Sequence, residues 1–429
     1  MKKRVLALFL SMCMTIAFAA CSEPQPLEEG EPIEPVYTIS PVEEPGKVIG
    51  GKEDFGSMKD GINDFSFRLY DALPKKENCF YSPYSLCSAL SMLNVGADGE
   101  TKQELESALG IVDFDAWNQE MQAYLSRSWT DDTYVTTGNS VWLKEDKEWS
   151  AGMAENFTDP LKKYYAGEVR EVDFAGAPDA ALKEINDWTN DHTNGMIPSV
   201  LSRIPDDTAM ILLNAVYFQG KWSSPFLMDD TFEDTFHGTE GDQTVEMMHQ
   251  YSNHFRYMDN GSIKGIVLPY KGDSIVMKIF IPSKEEDLIG DLFGALDSEE
   301  KQALLDSLNE SDMQEISTLQ VPKFTDEREL EGLDDILKSM GIRSAYTDSA
   351  DFHKIADDIS VTTVVHKAKV IVDEQGTKAA AVTGIVAGET AMMEPEPVYD
   401  FIVDRPFVYV IEDADSGMIL FMGQVNQLQ

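Results

Sequence analysis

EQGTKAAAVTGIVAG, Glu374 to Gly388, is the stretch on which the fold turns, because its side chains sort by parity as a strand requires. Successive residues of a strand face opposite sides of a sheet. The odd-numbered set, Thr377, Ala379, Ala381, Thr383, Ile385 and Ala387, is small and uncharged, while Lys378 falls on the other parity. Yet Ala379, Ala380 and Ala381 have weak strand preference, and Gly376, Gly384 and Gly388 weaken any fixed ladder. The segment reads as a loop that could become a strand. Taken alone, the composition fits a plain small-residue surface loop at least as well, and the surrounding sequence decides.

A long β-branched run, TTVVHKAKVIVDE (Thr362 to Glu374), leads straight into the loop. After it come EPEP (Glu394 to Pro397) and two apolar runs, around DRPFVYVIED and GMILFMGQV, separated by Asp413, Asp415, Ser416 and Gly417, which predicts a buried hairpin. With this arrangement the chain resembles the serpin family of protease inhibitors. The resemblance extends from about Asp60 onward. It is carried by CFYSPYSLCSALSMLNVGADGETKQELESALG (Cys79 to Gly110), VDFAGAPDAALKEINDWTNDHTNGMI (Val172 to Ile197), ILLNAVYFQGKW (Ile211 to Trp222), VEMMHQ (Val245 to Gln250) and VPKF (Val321 to Phe324). Two departures are mild: Val321 stands where the family usually has Leu, and Val382 replaces one hinge alanine.

The resemblance implies an α+β serpin fold, with three β-sheets, eight or nine helices and an exposed reactive-centre loop. It implies a hinge at Glu374, Gly376, Thr377, Ala379, Ala380, Ala381 and Thr383. A polar shutter under the main sheet would comprise Ser82, Ser85, Asn214 and His366, and Trp222 would mark the breach where insertion begins. The implied function is covalent inhibition of a serine protease by loop insertion; a non-inhibitory serpin or a surface lipoprotein binding through its acidic face is the alternative. Sixteen positions after the hinge glutamate, the scissile bond would join Thr390 to Ala391. A register shift of a residue or two would present Met392 or Met393 instead, and an early cut Val386. No Lys or Arg occurs between Lys378 and Arg405, so a trypsin-like pocket finds nothing basic. Elastase-like or subtilisin-like proteases are the expected partners.

Chemistry of other kinds is not signalled. The sequence has no Gly-x-Ser-x-Gly, His-Glu-x-x-His, phosphate-binding loop or Cys-x-x-Cys. His249 and His254 read as structural or solvated, Asp413 to Gly417 as a turn, and neither an enzyme nor a cofactor or metal is expected. A formal charge of -42 over 429 residues argues against nucleic acid. The segment from Asp113 to Asp132 has only Arg127 against several acids, so no heparin-type activator is expected. A monomer is.

Residues 1–20, with Lys2, Lys3 and Arg4 before an apolar run, read as a signal peptide. Phe18-Ala19-Ala20-Cys21 resembles a bacterial lipobox, which implies a lipidated Cys21 anchored at the cell surface. Phe18 departs from the usual Leu, leaving conventional cleavage after Ala19 as the alternative. Residues 21–57 form a Pro- and Glu-rich stalk; 25 of its positions, 22 to 46, reach at most roughly 80 Å at ~3.1 Å each. The domain spans 58–429, opening with Met58 and then Ile62, Phe65, Leu69 and Leu73 at helical spacing. Cys79 and Cys87, separated by a helix start at Pro83, read as buried free thiols, and Thr101 with Glu104 as a capping box.

Overall fold

Met58, Ile62, Phe65 and Leu69 bury one face of the first helix, α1 (Gly56–Ala72), which starts two residues before the expected boundary. The computed structural model describes residues 55–127, 130, 132–145, 150–205, 207–272, 274–377 and 397–428, all within the compact unit Val42–Gln429. Among the described residues, eight further α-helices follow: α2 (Pro83–Gly96), α3 (Gly99–Leu109), α4 (Phe114–Leu125), α5 (Asp159–Tyr165), α6 (Pro178–His192), α7 (Ile289–Gly294), α8 (Ser298–Glu310) and α9 (Leu333–Ser339). Helix α2 is buried along its whole length, starting where Ser82 caps it and Pro83 sets the first turn.

The expected capping box of α3 does not form. Asp98 is its N-cap, accepting from Gly99 N. Glu104 instead accepts from the backbone N–H groups of Arg343 and Ser344, and Thr101 from Asp351 N. Those distant partners offer the carboxylate two donors where the local box offers one. A reciprocal box does occur at α8, between Asp297 and Glu300.

The strands are β1 (Cys79–Tyr81), β2 (Thr133–Lys144), β3 (Glu168–Val172), β4 (Met210–Lys221), β5 (Phe232–Gly238), β6 (Gly241–Asp259), β7 (Ile263–Pro269), β8 (Ile275–Pro282), β9 (Met313–Pro322), β10 (Phe324–Glu329), β11 (Thr363–Asp373), β12 (Gly376–Thr377), β13 (Val398–Ile402), β14 (Phe407–Asp413) and β15 (Met418–Val425). They fall into three pairing groups, two of which share β6: it pairs with β5 and β9 along Gly241 to Arg256, then with β7 from Tyr257. The predicted closing hairpin is β14–β15, with both strands buried along their whole length.

The third group has the order β10-β11-β12-β4-β2-β3. Parity gives this sheet two unlike faces. Leu212 and Val216 of β4, Val364 and Ala368 of β11, and Val141 of β2 join the main core with α2. Ile211 and Leu213, Val365, and Trp142 face the other way, into a second cluster with Ile185 and Trp188 of α6 and Val200 and Leu201 after it. A helix thus covers each face of the sheet.

Candidate functional site

Strands β4 and β11 pair in parallel from Ile211 opposite Thr363 to Tyr217 opposite Lys369. Above that point they separate, and the two residues of β12 fill the mouth. Val372 pairs with Thr377 and Asp373 with Gly376 on one side, Lys221 with Gly376 and Gly220 with Thr377 on the other, all antiparallel. Position 376 has φ +143, and a Cβ there would stand 2.1 Å from Gly220 O and 2.6 Å from Lys221 Cα, so only glycine fits. Thr377, the first of the small odd-numbered set, is fully buried.

The approach to this mouth is tied down by backbone groups. Trp222 N donates to Gln375 O at 2.9 Å and Phe226 N to Glu374 O at 2.8 Å. The buried Trp222 indole donates to Asp373 O at 3.0 Å and stacks on Tyr270, 4.4 Å between centroids. The Glu374 carboxylate lies 3.3 Å from Lys323 Nζ. Burial alone would raise its pKa, but its own backbone N–H and the Lys323 ammonium outweigh that and hold it below the ordinary range.

Lower on the seam, residues of the core-facing parity form one polar row. His366 and Asn214 are paired neighbours, as are Asn214 and Asn139 of β2. Ser82 N donates to His366 Nε2 at 3.0 Å, so that nitrogen is the acceptor and Nδ1 carries the hydrogen. Nδ1 donates to Asn214 Oδ1 at 2.8 Å, Asn214 Nδ2 to Asn139 Oδ1 at 2.7 Å, and Asn139 Nδ2 to Ser88 Oγ at 3.1 Å. Burial holds the imidazole neutral, its pKa lowered to about 3. The chain thus links three adjacent strands to α2, with every side chain in it buried.

Four expected shutter residues therefore do not contribute equally. Ser82, Asn214 and His366 meet, and the Ser82 hydroxyl donates to Leu420 O. Ser85 joins only through its backbone N–H, which donates to Ser82 Oγ at 3.2 Å; its own buried hydroxyl has no partner among the described residues. Asn139, Ser88 and Tyr270 were not anticipated. Ser88 had a signal, since Ser85, Ser88 and Ser91 repeat every three residues in an otherwise apolar helix. Ala379, Ala380, Ala381, Thr383, Thr390, Ala391 and Cys21 lie outside the described residues.

Comparison with known proteins settles what the fold and seam belong to. The profile of the family described as Serpin (serine protease inhibitor) matches residues 60–428. The chain belongs to the serpin family. A serpin-like protein of Thermococcus kodakarensis is 33% identical over 371 residues, covering 85% of this chain and 84% of its own. The leukocyte elastase inhibitor of Bos taurus is 33% identical, covering 81% and 93%. Among solved structures, the thermophilic serpin tengpin in its native state aligns with a TM-score of 0.77 at 28% identity, over 89% of this serpin and 96% of tengpin. Membership supports protease inhibition in general. Free Cys79 and Cys87 are both buried, with their thiol pKa values pushed up by burial, and among the described residues no cluster of His, Cys, Asp and Glu could hold a metal.

Proposed function

We propose that this serpin inhibits serine proteases by inserting its cleaved loop between β4 and β11. The observation carrying this reading is that Gly376 and Thr377 are already paired with both strands, antiparallel to each, in the mouth of the seam. The target's serine hydroxyl attacks the carbonyl of Thr390, the Thr390–Ala391 amide breaks, and an ester joins Thr390 to the protease while the amine of Ala391 leaves with the proton. The freed segment then extends β12 downward. Serpin loop insertion is itself one of the standard examples of strand addition and strain release. From Thr377 to Thr390, about fourteen residues at ~3.3 Å carry the tethered protease ~45 Å. Its active site is pulled out of the geometry that ester hydrolysis requires.

The small, β-branched Thr390 favours a shallow apolar pocket, hence an elastase-like or subtilisin-like target. Arg127, the one base of the segment from Asp113 to Asp132, is ion-paired with Asp413 and Asp415, which leaves little there for a sulfated activator. The protein is read as a monomer without cofactor, exported by its first 20 residues and held at the bacterial surface by a lipidated Cys21 on the acidic stalk.

The test is to mix the mature protein with pancreatic elastase, subtilisin and trypsin, then look for a complex that survives SDS and sequence the released amino terminus. A covalent band with elastase or subtilisin and a new terminus at Ala391 is expected. Clean cleavage without a complex would overturn inhibition, and a terminus at Ala387, Met393 or Glu394 would move the site and the target class with it. Thr390→Arg should redirect trapping to trypsin.

A further inference from the structure

Tyr270 lies under the mouth of the seam with its ring held on several sides. Trp222 stacks on it at 4.4 Å with 14° between the planes, and Phe218 meets it edge-on at 4.9 Å. Gly220 provides the space, since a Cβ there would come within 2.7 Å of Tyr270 Cδ1. The backbone is fixed too: Tyr270 N donates to Ile275 O at 3.0 Å, and Tyr270 O accepts from Ser223 Oγ at 2.8 Å. A ring clamped in this way delivers its hydroxyl to one place. There it shares a hydrogen bond of 2.9 Å with Oγ1 of Thr377, both residues being fully buried. Burial pushes the phenol well above its ordinary pKa, so it keeps its hydrogen.

Small size alone would be met at position 377 by alanine, so the hydroxyl calls for a separate reason. Strand register supplies one. A slip of one residue turns every side chain of a strand to the opposite face. At this hinge a slip would bring Lys378 to the core-facing parity, where an unpaired ammonium is strongly disfavoured. The polar contact between Thr377 and Tyr270 exists in only one register.

We propose that Tyr270 is the positioning residue of the hinge: its hydroxyl seats Thr377 at the top of β4 and β11 and fixes the register in which the loop enters. Insertion then grows from a docked residue rather than from a free end. This rests on the insertion reading above, but the docking of the hinge in the intact protein can be measured without any protease.

The experiment uses the mature protein and the variants Tyr270→Phe, Thr377→Val, the double variant and Thr377→Ser. One readout is amide hydrogen exchange of peptides spanning 370–377 in the intact protein. The other is the ratio of cleaved to trapped inhibitor with elastase. Each single removal should speed exchange and raise the ratio about threefold to tenfold, the factor that one hydrogen bond of ordinary net strength represents. The double variant should match the single ones, and Thr377→Ser, which keeps the hydroxyl, should behave as wild type. Independent, multiplying effects in the double variant, or unchanged exchange in Tyr270→Phe, would overturn the proposal, because a merely structural tyrosine gives no coupling to position 377. Wild-type protein that traps nothing would end the inhibition reading instead, leaving the exchange data to decide on Tyr270.

Discussion

The two ends of one seam are built differently. Below, β4 and β11 share a parallel ladder from Thr363 to Lys369, crossed by the row His366, Asn214 and Asn139 and covered by α6 and Leu201. Above, the same strands are held together by two residues, Gly376 and Thr377. The lower end is closed and complete, while the upper end is an interrupted sheet with its first new rung in place. Each residue added at the top breaks part of one parallel ladder and builds an antiparallel one on both sides, the better-aligned pairing. If the loop inserts as proposed, the native seam is the less bonded of the two arrangements.

The largest effect that would test this contrast is thermal. Loop-cleaved protein should melt above the intact form by on the order of 20 °C, taking ~1 kcal/mol for each new hydrogen bond and ~2 °C per kcal/mol in a chain of this size. Calorimetry of the two forms checks it, and an equal or lower midpoint after cleavage would mean the upper seam stores nothing.

Next in size is Thr377→Arg, which places a charge where the hinge is fully buried at a cost of several kcal/mol. Such a protein should be cleaved as a substrate and release active protease. Undiminished trapping, read from SDS gels, would sink the insertion mechanism.

The lower seam should respond to pH. Burial lowers the His366 pKa from 6.5 to about 3, so in the range between, the unfolded chain binds a proton that the folded chain does not. The stability tied to the neutral imidazole is complete above 6.5 and lost as pH falls towards 3, by at most about 1.4 kcal/mol per pH unit for one proton. Urea titrations of wild type and His366→Gln across that window should show a shallower slope in the variant. Equal slopes would remove the imidazole from the linkage.

Smallest is Asn139→Ala, which leaves Asn214 Nδ2 without its acceptor at a cost of roughly 1–3 kcal/mol. Its unfolding midpoint should fall, whereas Ser85→Ala, removing a hydroxyl with no partner among the described residues, should leave it nearly unchanged.

Much of this was legible in the chain because the relevant signals are local. The apolar spacing of α1, the β-branched run of β11 and the turn between β14 and β15 each lie within a short stretch of chain, and of the hinge's small parity set only Thr377 falls among the described residues, where it is buried. The family resemblance then supplied His366, Asn214 and Trp222. What escaped depends on pairing across long separations. Asn139 matters because β2 sets it opposite Asn214, and Tyr270 because the end of β7 is folded under Gly220, neither of which spacing reveals. The Thr101–Glu104 pattern misled for the same reason: remote donors on Arg343 and Ser344 outcompeted the local one.

The two buried thiols have a consequence outside the seam. Neither Cys79 nor Cys87 is cross-linked, and desolvation keeps both from forming the thiolate that oxidants and disulfides attack. No covalent staple within the described fold waits on an oxidising compartment or fails in a reducing one. If the protein acts by the single refolding event proposed above, its readiness within the described fold does not depend on the redox state of its surroundings.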